Sequence, residues 1–369
     1  MIHGGLQINL KIDKNKIHYN HCCLRSDLFE YDSGDMWNSE QLIPLRELNK
    51  ENKWDPGCWA CRGNELSSQT SLRTGTLEMF GQSSNLSGPK RLDLMFDISC
   101  NLACRTCGPW ASTYWQKHLK ENAIEFLAPS PETRVDEMIE ILRTLDLSNL
   151  ELVVFCGGET LMGQGYWRVA EVIAELAPQA KEKITLSFQT NGTQPINQKN
   201  YETLKKFHLV KLNFSLDGIN ERFEYLRWPA KWQQVVGNMF TIRDTAPVNT
   251  MFLVEETMSI FNLYYQNELE SWLKQNFPTN RLGDITNHTR HLTTEYKTRI
   301  NYGIKELTRE YVESLPDDLR GLVPNNWQEN PEAIRRMIAD IEKFDKFRNQ
   351  DWTKTFPEVA AFYHRFKNQ

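Results

Sequence analysis

Between residues 90 and 286 the chain alternates strand-like with helix-like stretches, and the strand-like ones place polar and apolar residues at every second position. That combination restricts the fold more than any other feature of the sequence. In residues 210–217, Val210, Leu212, Phe214 and Leu216 alternate with Lys211, Asn213, Ser215 and Asp217. Residues 184–191 repeat the pattern, with Ile184, Leu186 and Phe188 opposite Thr185, Ser187, Gln189 and Asn191, and Asp93 and Asp97 do the same in residues 91–97. Strands interleaved with helices imply a parallel sheet. A parallel strand covered by helices on both faces reads as a continuous apolar run. Here only one face is apolar, as expected of a sheet that curls so that its second face lines a lumen able to hold a polar ligand.

The expected strands are 91–97, 151–156, 184–190, 210–216 and 248–255, with a sixth near 281–285. Between them, "SPETRVDEMIEILRTL" offers Ser130 as N-cap and Pro131 at the first helical position, then Val135, Met138, Ile139, Leu142 and Leu145 on one face. Residues 166–176 and "FNLYYQNELESWLKQNF" supply two further helices. Residues 1–88 hold short alternating stretches, a short helix over 39–48 and the loop "WDPGCWACRGNE", and "GQSSNLSGPK" marks a boundary. Beyond about residue 286 the pattern is polar and helical, with Ile334, Met337, Ile338, Ile341 and Phe344 in register. The expected division is therefore 1–88, 89–285 and 286–369.

No apolar run approaches the roughly 18 residues of a membrane span, and the N-terminus lacks the apolar stretch of a signal peptide. The sequence thus reads as cytoplasmic. In a reducing compartment eight cysteines are available to metals or catalysis rather than disulfides. A net charge of −5 gives no electrostatic case for nucleic acid or an anionic membrane as partner. Cys100, Cys104 and Cys107 form C-x3-C-x2-C directly after the strand "RLDLMFD", at the end of a parallel strand where such folds place their sites. Three thiolates can hold three irons of a cubane cluster and leave the fourth iron for another ligand. A zinc knuckle that borrows a distant ligand is the alternative.

With that loop in place, the chain resembles the radical S-adenosylmethionine (radical SAM) enzymes. The next strand ends in "CGGET", similar to the family's GGE motif; the following one ends in "QTNGT" and the one after in "SLDG", like strand ends of its peptide-modifying branch. The resemblance spans 91 to about 285. It implies a partial (β/α)6 TIM-like barrel, a 4Fe-4S cluster on Cys100, Cys104 and Cys107, and S-adenosylmethionine held by Gly157, Gly158 and Glu159 at its amino group. Asn191, Ser215 and Asp217 are the candidates for its ribose and carboxylate, with Arg227 for the carboxylate. Thr106 stands where the family often has an aromatic residue before the third cysteine, and Trp110 is the candidate to compensate. The implied activity is reductive cleavage of S-adenosylmethionine to a 5'-deoxyadenosyl radical that abstracts hydrogen from a peptide or protein side chain. A flavodoxin or ferredoxin is the implied electron donor.

"HCCLRSD" and "WDPGCWACRGNELSSQTSLR" flank "MWNSEQLIPLRELN" and together resemble the twitch, or half-SPASM, unit of some radical SAM enzymes. This implies an auxiliary 4Fe-4S cluster with Cys58, Cys61, Cys22 and Cys23 as candidate ligands. Side chains of adjacent residues in an extended chain point apart, so one of Cys22 and Cys23 can ligate while the other packs, with His21 or an exogenous ligand completing the site. Structural zinc is the alternative there. Cys156 reads as a buried small residue, and His288 and His291 as a polar loop. Two rival functions remain open at this point: a radical SAM enzyme acting on a nucleotide or sugar, and a zinc-stapled binding module without redox chemistry.

Overall fold

A computed structural model describes residues 7–13, 16–22, 28–51, 53–66, 71–81, 86–127, 134–277, 289–292, 304–321, 323 and 327–366. Its backbone frame is one nine-stranded sheet. The strands are β1 (Gln7–Asp13), β2 (Lys16–Asn20), β3 (Phe29–Glu30), β4 (Arg91–Met95), β5 (Leu152–Phe155), β6 (Thr185–Thr190), β7 (Leu209–Ser215), β8 (Thr250–Met258) and β9 (Thr289–Leu292). Their order across the sheet is β3-β2-β1-β4-β5-β6-β7-β8-β9. From β4 to β9 every neighbour is parallel, as the strand and helix alternation predicts. The sixth strand expected near 281–285 lies outside the described residues, and the strand beside β8 is Thr289–Leu292.

The alternation resolves into two faces. Leu92 and Leu94, Val153 and Phe155, Leu186 and Phe188, Val210, Leu212 and Phe214, and Phe252 and Val254 are closed off from water and share one core cluster. Helices Val135–Thr144, Gly165–Leu176 and Trp232–Thr245 cover them, each giving its own apolar residues to that cluster. Each such side chain contributes about 1.5–3 kcal/mol on burial, which fixes the register of every strand against a one-residue slip. On the opposite face Gln189, Lys211, Ser215 and Glu255 stay partly open as the alternation predicts, but so do the apolar Met95, Val154, Met251 and Leu253, so this face is mixed rather than polar. Helix Val135–Thr144 bears the expected apolar face, whereas Ser130 and Pro131 lie outside the described residues.

Residues 1–88 are joined to the rest more closely than their irregular sequence suggests. β1 pairs in parallel with β4, from Gln7 opposite Arg91 to Lys11 opposite Met95, so the sheet runs unbroken across the expected boundary. A connection this long between parallel neighbours is the usual crossover, here carried by helices Leu42–Lys50, Trp59–Leu66 and Leu72–Phe80. Met36, Trp37, Leu42 and Leu45 belong to the main core cluster, and the Trp37 indole donates to the Leu86 carbonyl at 3.1 Å.

The last described segment is helical, and the long helix Pro331–Arg348 buries the predicted stripe Ile334, Met337, Ile338, Ile341 and Phe344. Against its end lies His118, 3% exposed, whose Nε2 accepts from Arg348 Nε at 3.3 Å. Burial, followed by the charges of Arg348 and Arg105, pushes this imidazole down to about 4. Between that value and the ordinary histidine range the unfolded chain takes up a proton that the folded chain refuses, so stability is lost as pH falls through this window. The full effect is about 3 kcal/mol. Urea midpoints at pH 7 and pH 4.5 will show the drop, and His118→Gln will reduce it. No helix among the described residues is long and apolar enough to cross a membrane.

Candidate active site

The chain leaves β4 through buried Phe96 and Asp97, and the Asp97 carboxylate accepts from the Ser99 amide at 2.7 Å to start a turn. The loop that follows is pinned along its length. The Thr113 hydroxyl donates to the Cys100 carbonyl at 3.1 Å, and the Trp115 indole donates to the Cys104 carbonyl at 2.9 Å. The Ala103 and Arg105 amides donate to the Trp228 and Leu226 carbonyls at 2.7 and 2.6 Å. Cys100, Cys104 and Cys107 therefore hang from a backbone held by two other parts of the chain.

Their thiols are electrostatically uncomfortable when charged. Burial first, then the charges of neighbouring cysteines, raises Cys100 and brings Cys107 up to about 12. Burial also raises Cys104, while Arg227 and Arg348 oppose the rise. Three thiols crowded on one loop and shielded from water would ionise only beside strong positive charge, which metal ions supply. The donor set thus fits an iron-sulfur cluster. Among the described residues no three Cys, His, Asp or Glu side chains stand close enough to hold a single metal ion, and all seven described cysteines are free thiols.

The turn after β5 meets this loop at its root. The Gly158 amide donates to the Asp97 carbonyl at 3.0 Å and the Glu159 amide to the Ser99 carbonyl at 2.8 Å. A Cβ on Gly157, whose φ is +129°, would stand 2.4 Å from the Asp97 carbonyl oxygen. On Gly158 it would stand 2.2 Å from that of Ser99. Both glycines are required by the approach of the protein's own backbone. Gly158→Ala is therefore expected to cost about 1–3 kcal/mol through overpacking, read as a fall in the thermal midpoint, with Gly237→Ala, where a Cβ would meet nothing within 4 Å and φ is not positive, as the comparison.

Glu159 is buried, and its carboxylate is engaged by the protein. It accepts from the Thr190 hydroxyl at 2.7 Å, the Asn191 amide at 2.6 Å and the Leu161 amide at 3.0 Å. Burial raises its pKa despite these bonds. Rather than facing an open space, it ties the end of β5 to the end of β6. That bond positions Asn191, whose side-chain amide reaches Asn101 Oδ1 at 3.1 Å and Cys100 Sγ at 3.8 Å.

The end of β7 adds the other half. Asp217 is fully buried and pairs with Arg227 at 2.9 Å, while also accepting from the Thr257 amide at 3.0 Å. Arg227 donates in turn to Cys104 Sγ at 3.9 Å. Burial acts first on Arg227 and lowers its pKa, but the charges of Asp217 and Cys104 outweigh it, so the net shift is upward. Of the sequence candidates, Glu159, Asn191, Asp217 and Arg227 thus converge on the cysteine loop. Ser215 sits half-buried one strand over from Glu255, and Gln189 donates to Glu255 at 3.2 Å. The Trp110 ring lies against Gly108, beside the third cysteine. Cys156 is half-buried, with its Sγ 3.7 Å from the Leu94 carbonyl.

Cys58 closes a 3-10 turn begun by Asp55, whose carboxylate accepts from the Gly57 amide at 2.8 Å, and Cys61 is buried one turn into the next helix. Cys22 is buried after β2, and Cys23 lies outside the described residues, as do His288 and the side chain of His291.

Sequence reasoning did not find the clamp behind the cysteine loop. Arg105, next to Cys104, pairs with Asp345, and its guanidinium stacks 4.2 Å from the Tyr225 ring centre. Arg348 lies 4.6 and 4.9 Å from the Trp115 and Trp228 ring centres, and burial, then the charge of Arg105, lowers it to about 9. A signal was present: Asp345 and Arg348 fall on the same helical stripe as Ile341 and Phe344, where a charge is out of place unless paired.

No curated protein matches this chain. Among solved structures it is similar to native anSMEcpe with bound AdoMet, at 16% identity and a TM-score of 0.41, over 70% of this chain. It spans 62% of the length of that protein. Streptococcus suis SuiB bound to S-adenosylmethionine is similar at 13% identity and a TM-score of 0.40, over 92% of this chain and 69% of SuiB. SuiB bound to precursor peptide SuiA gives 13% and 0.37, over 95% and 74%. Residues 98–261, which hold the cysteine loop and the ends of β5 to β8, match the family model described as the Radical SAM superfamily, so over that segment the chain carries a radical SAM domain.

Proposed function

We propose that this chain is a radical SAM enzyme whose Cys100, Cys104 and Cys107 hold three irons of a 4Fe-4S cluster and leave the fourth to S-adenosylmethionine. The observation that carries the reading is the convergence of Asn191 and Arg227 on two of those three sulfurs, at 3.8 and 3.9 Å. When bound and reduced, the cluster with its S-adenosylmethionine supplies a 5'-deoxyadenosyl radical. The chain's own residues do the rest. The pinned loop presents three sulfurs in fixed order. Arg227 and the Asn191 amide donate toward sulfur and so stabilise negative charge there, as donors beside iron-sulfur sites do. Gly157 and Gly158 form the turn for the amino end of S-adenosylmethionine, with Glu159 holding that turn against β6. Ser215 and Asp217 serve its ribose and carboxylate side, Asp217 by orienting Arg227. The apolar packing around the loop keeps water from the reacting carbon.

The substrate in this reading is a peptide or protein side chain, on the strength of the strand ends "QTNGT" and "SLDG". Residues 1–88 act as a twitch unit that carries an auxiliary cluster on Cys58 and Cys61 with Cys22 or Cys23, ahead of a barrel over 89–285 and a helical extension over 286–369. A flavodoxin or ferredoxin delivers the electron.

The test is anaerobic reconstitution followed by dithionite and S-adenosylmethionine, with 5'-deoxyadenosine measured by mass spectrometry. Release of the nucleoside supports the reading. Protein that neither binds S-adenosylmethionine better than a Cys100/Cys104/Cys107 triple-alanine variant nor fragments it would overturn it.

A further inference from the structure

Three buried guanidiniums stand around the cysteine loop, and the chain matches two of them. Arg105 has Asp345 and Arg227 has Asp217, whereas Arg348, 6% exposed at the end of helix Pro331–Arg348, makes no ion pair among the described residues. Its Nε donates to His118 at 3.3 Å. Both of its terminal nitrogens are shut off from water and have no hydrogen-bond partner among the described residues. Glu159, a further buried carboxylate at the loop, is engaged by Thr190, Asn191 and Leu161. The rings of Trp115, Trp228 and Phe344 lie 4.6, 4.9 and 5.7 Å from the Arg348 guanidinium. Stacking on rings returns only part of what a cation loses on leaving water. Both tryptophans are bonded to the loop, Trp115 through its indole to the Cys104 carbonyl and Trp228 through its own carbonyl to the Ala103 amide. Arg348 therefore stands against Cys104, and the attraction is mutual: Arg348 lowers the Cys104 thiol and Cys104 raises Arg348. Burial nevertheless keeps that thiol above its ordinary range, so without a metal it stays neutral and offers no counter-charge.

We propose that Arg348 is the counter-ion of the group held by Cys100, Cys104 and Cys107, a cation left unmatched by the chain so that it favours the reduced, more negative form of an iron-sulfur cluster. This deepens the proposed function and rests on it for the cluster. Three thiolates around a cubane core of double positive charge leave a single negative charge, which becomes double when the core takes up one electron from the reductant. A fixed cation nearby stabilises the second state more than the first and raises the potential of the couple. Arg227 is less suited to this, because Asp217 cancels its charge at 2.9 Å. Arg348 remains charged at neutral pH even though burial, then Arg105, lowers it to about 9. It lies outside residues 98–261, which match the family model, so the setting of the potential falls to a helix beyond that segment.

The test has two arms, neither of which depends on cleavage of S-adenosylmethionine. Both use the full chain carrying Cys58→Ala and Cys61→Ala as parent, so that a second cluster does not overlap the signal. In the first arm the metal-free parent and its Arg348→Met variant are unfolded in urea. The variant is expected to match or exceed the parent, because a buried charge without a counter-charge has been replaced by an apolar side chain. A lower midpoint, or a variant that does not fold, would assign Arg348 to packing and overturn the proposal. In the second arm the reconstituted proteins are titrated with dithionite and redox mediators, and the reduced cluster is followed by electron paramagnetic resonance. Arg348→Met and Arg348→Gln are each expected to lower the equilibrium constant for one-electron reduction about tenfold, or about 59 mV. Phe344→Leu disturbs the same stack, its ring lying 5.4 Å from that of Trp115, but removes no charge and is expected to leave the potential in place. Loss of the cluster from both neutral variants while Phe344→Leu retains it is the same effect at greater strength and supports the proposal. An unchanged or raised potential in the neutral variants, or an equal fall in Phe344→Leu, would overturn it. A parent that takes up no iron would overturn the proposed function itself and this inference with it, and is told apart because the parent fails before any variant is compared.

Discussion

Replacing Cys100, Cys104 and Cys107 together by alanine is expected to reduce 5'-deoxyadenosine release to background and to lower iron from about eight to about four atoms per chain. Cys58→Ala with Cys61→Ala is expected to remove the other four, but to leave some S-adenosylmethionine cleavage, because those thiols belong to a different part of the chain. Iron analysis and visible absorption on anaerobically purified protein will decide. An unchanged iron count in either variant, or zinc in its place, would remove the two-cluster assignment. The two variants also test different statements: the first concerns the loop whose pinning is described above, and the second the twitch reading of residues 1–88.

Asp345→Ala is expected to destabilise the chain by about 3–5 kcal/mol, the cost of removing one member of a buried charge pair. Asp345 is 5% exposed and serves three partners besides Arg105's stacking on Tyr225. It pairs with Arg105, accepts from the Tyr225 hydroxyl at 2.7 Å and accepts from the Trp352 amide at 2.7 Å. Loss of the carboxylate leaves the Arg105 guanidinium in a dry site with Gln350, at 3.1 Å, as its one side-chain acceptor among the described residues. Arg105 adjoins Cys104, so the damage should reach the cysteine loop: the variant is expected to show a lower unfolding midpoint in urea and also less iron per folded chain. Asp345→Asn keeps the shape and one acceptor and should lie between the two. A variant with full stability would mean that the clamp carries no load.

What the sequence disclosed follows from the range of each interaction. The alternation in β6 and β7 was readable because a strand's two faces are written at every second residue, and burial on one face enforces it. The stripe Ile334, Met337, Ile338, Ile341 and Phe344 was readable for the equivalent helical reason. The pairing of β1 with β4 was not, since it joins residues some eighty positions apart, and nothing local in either strand names its neighbour. The same holds for Arg105 and Asp345, 240 positions apart. The place of Glu159 was half visible. Its motif located it beside the cysteine loop, but the donors from Thr190, Asn191 and Leu161 that occupy its carboxylate come from how two strand ends meet in space.

The parallel seating of β1 against β4 has a consequence for how this protein can be divided. A polypeptide starting at residue 89 would present β4 with its outer row of amides and carbonyls bare. Such an edge invites a neighbouring molecule to dock along it. The leading segment, whatever its own chemistry, is therefore also a selvedge: it finishes the fabric of the sheet, and the remainder of the chain would not keep to itself in solution without it.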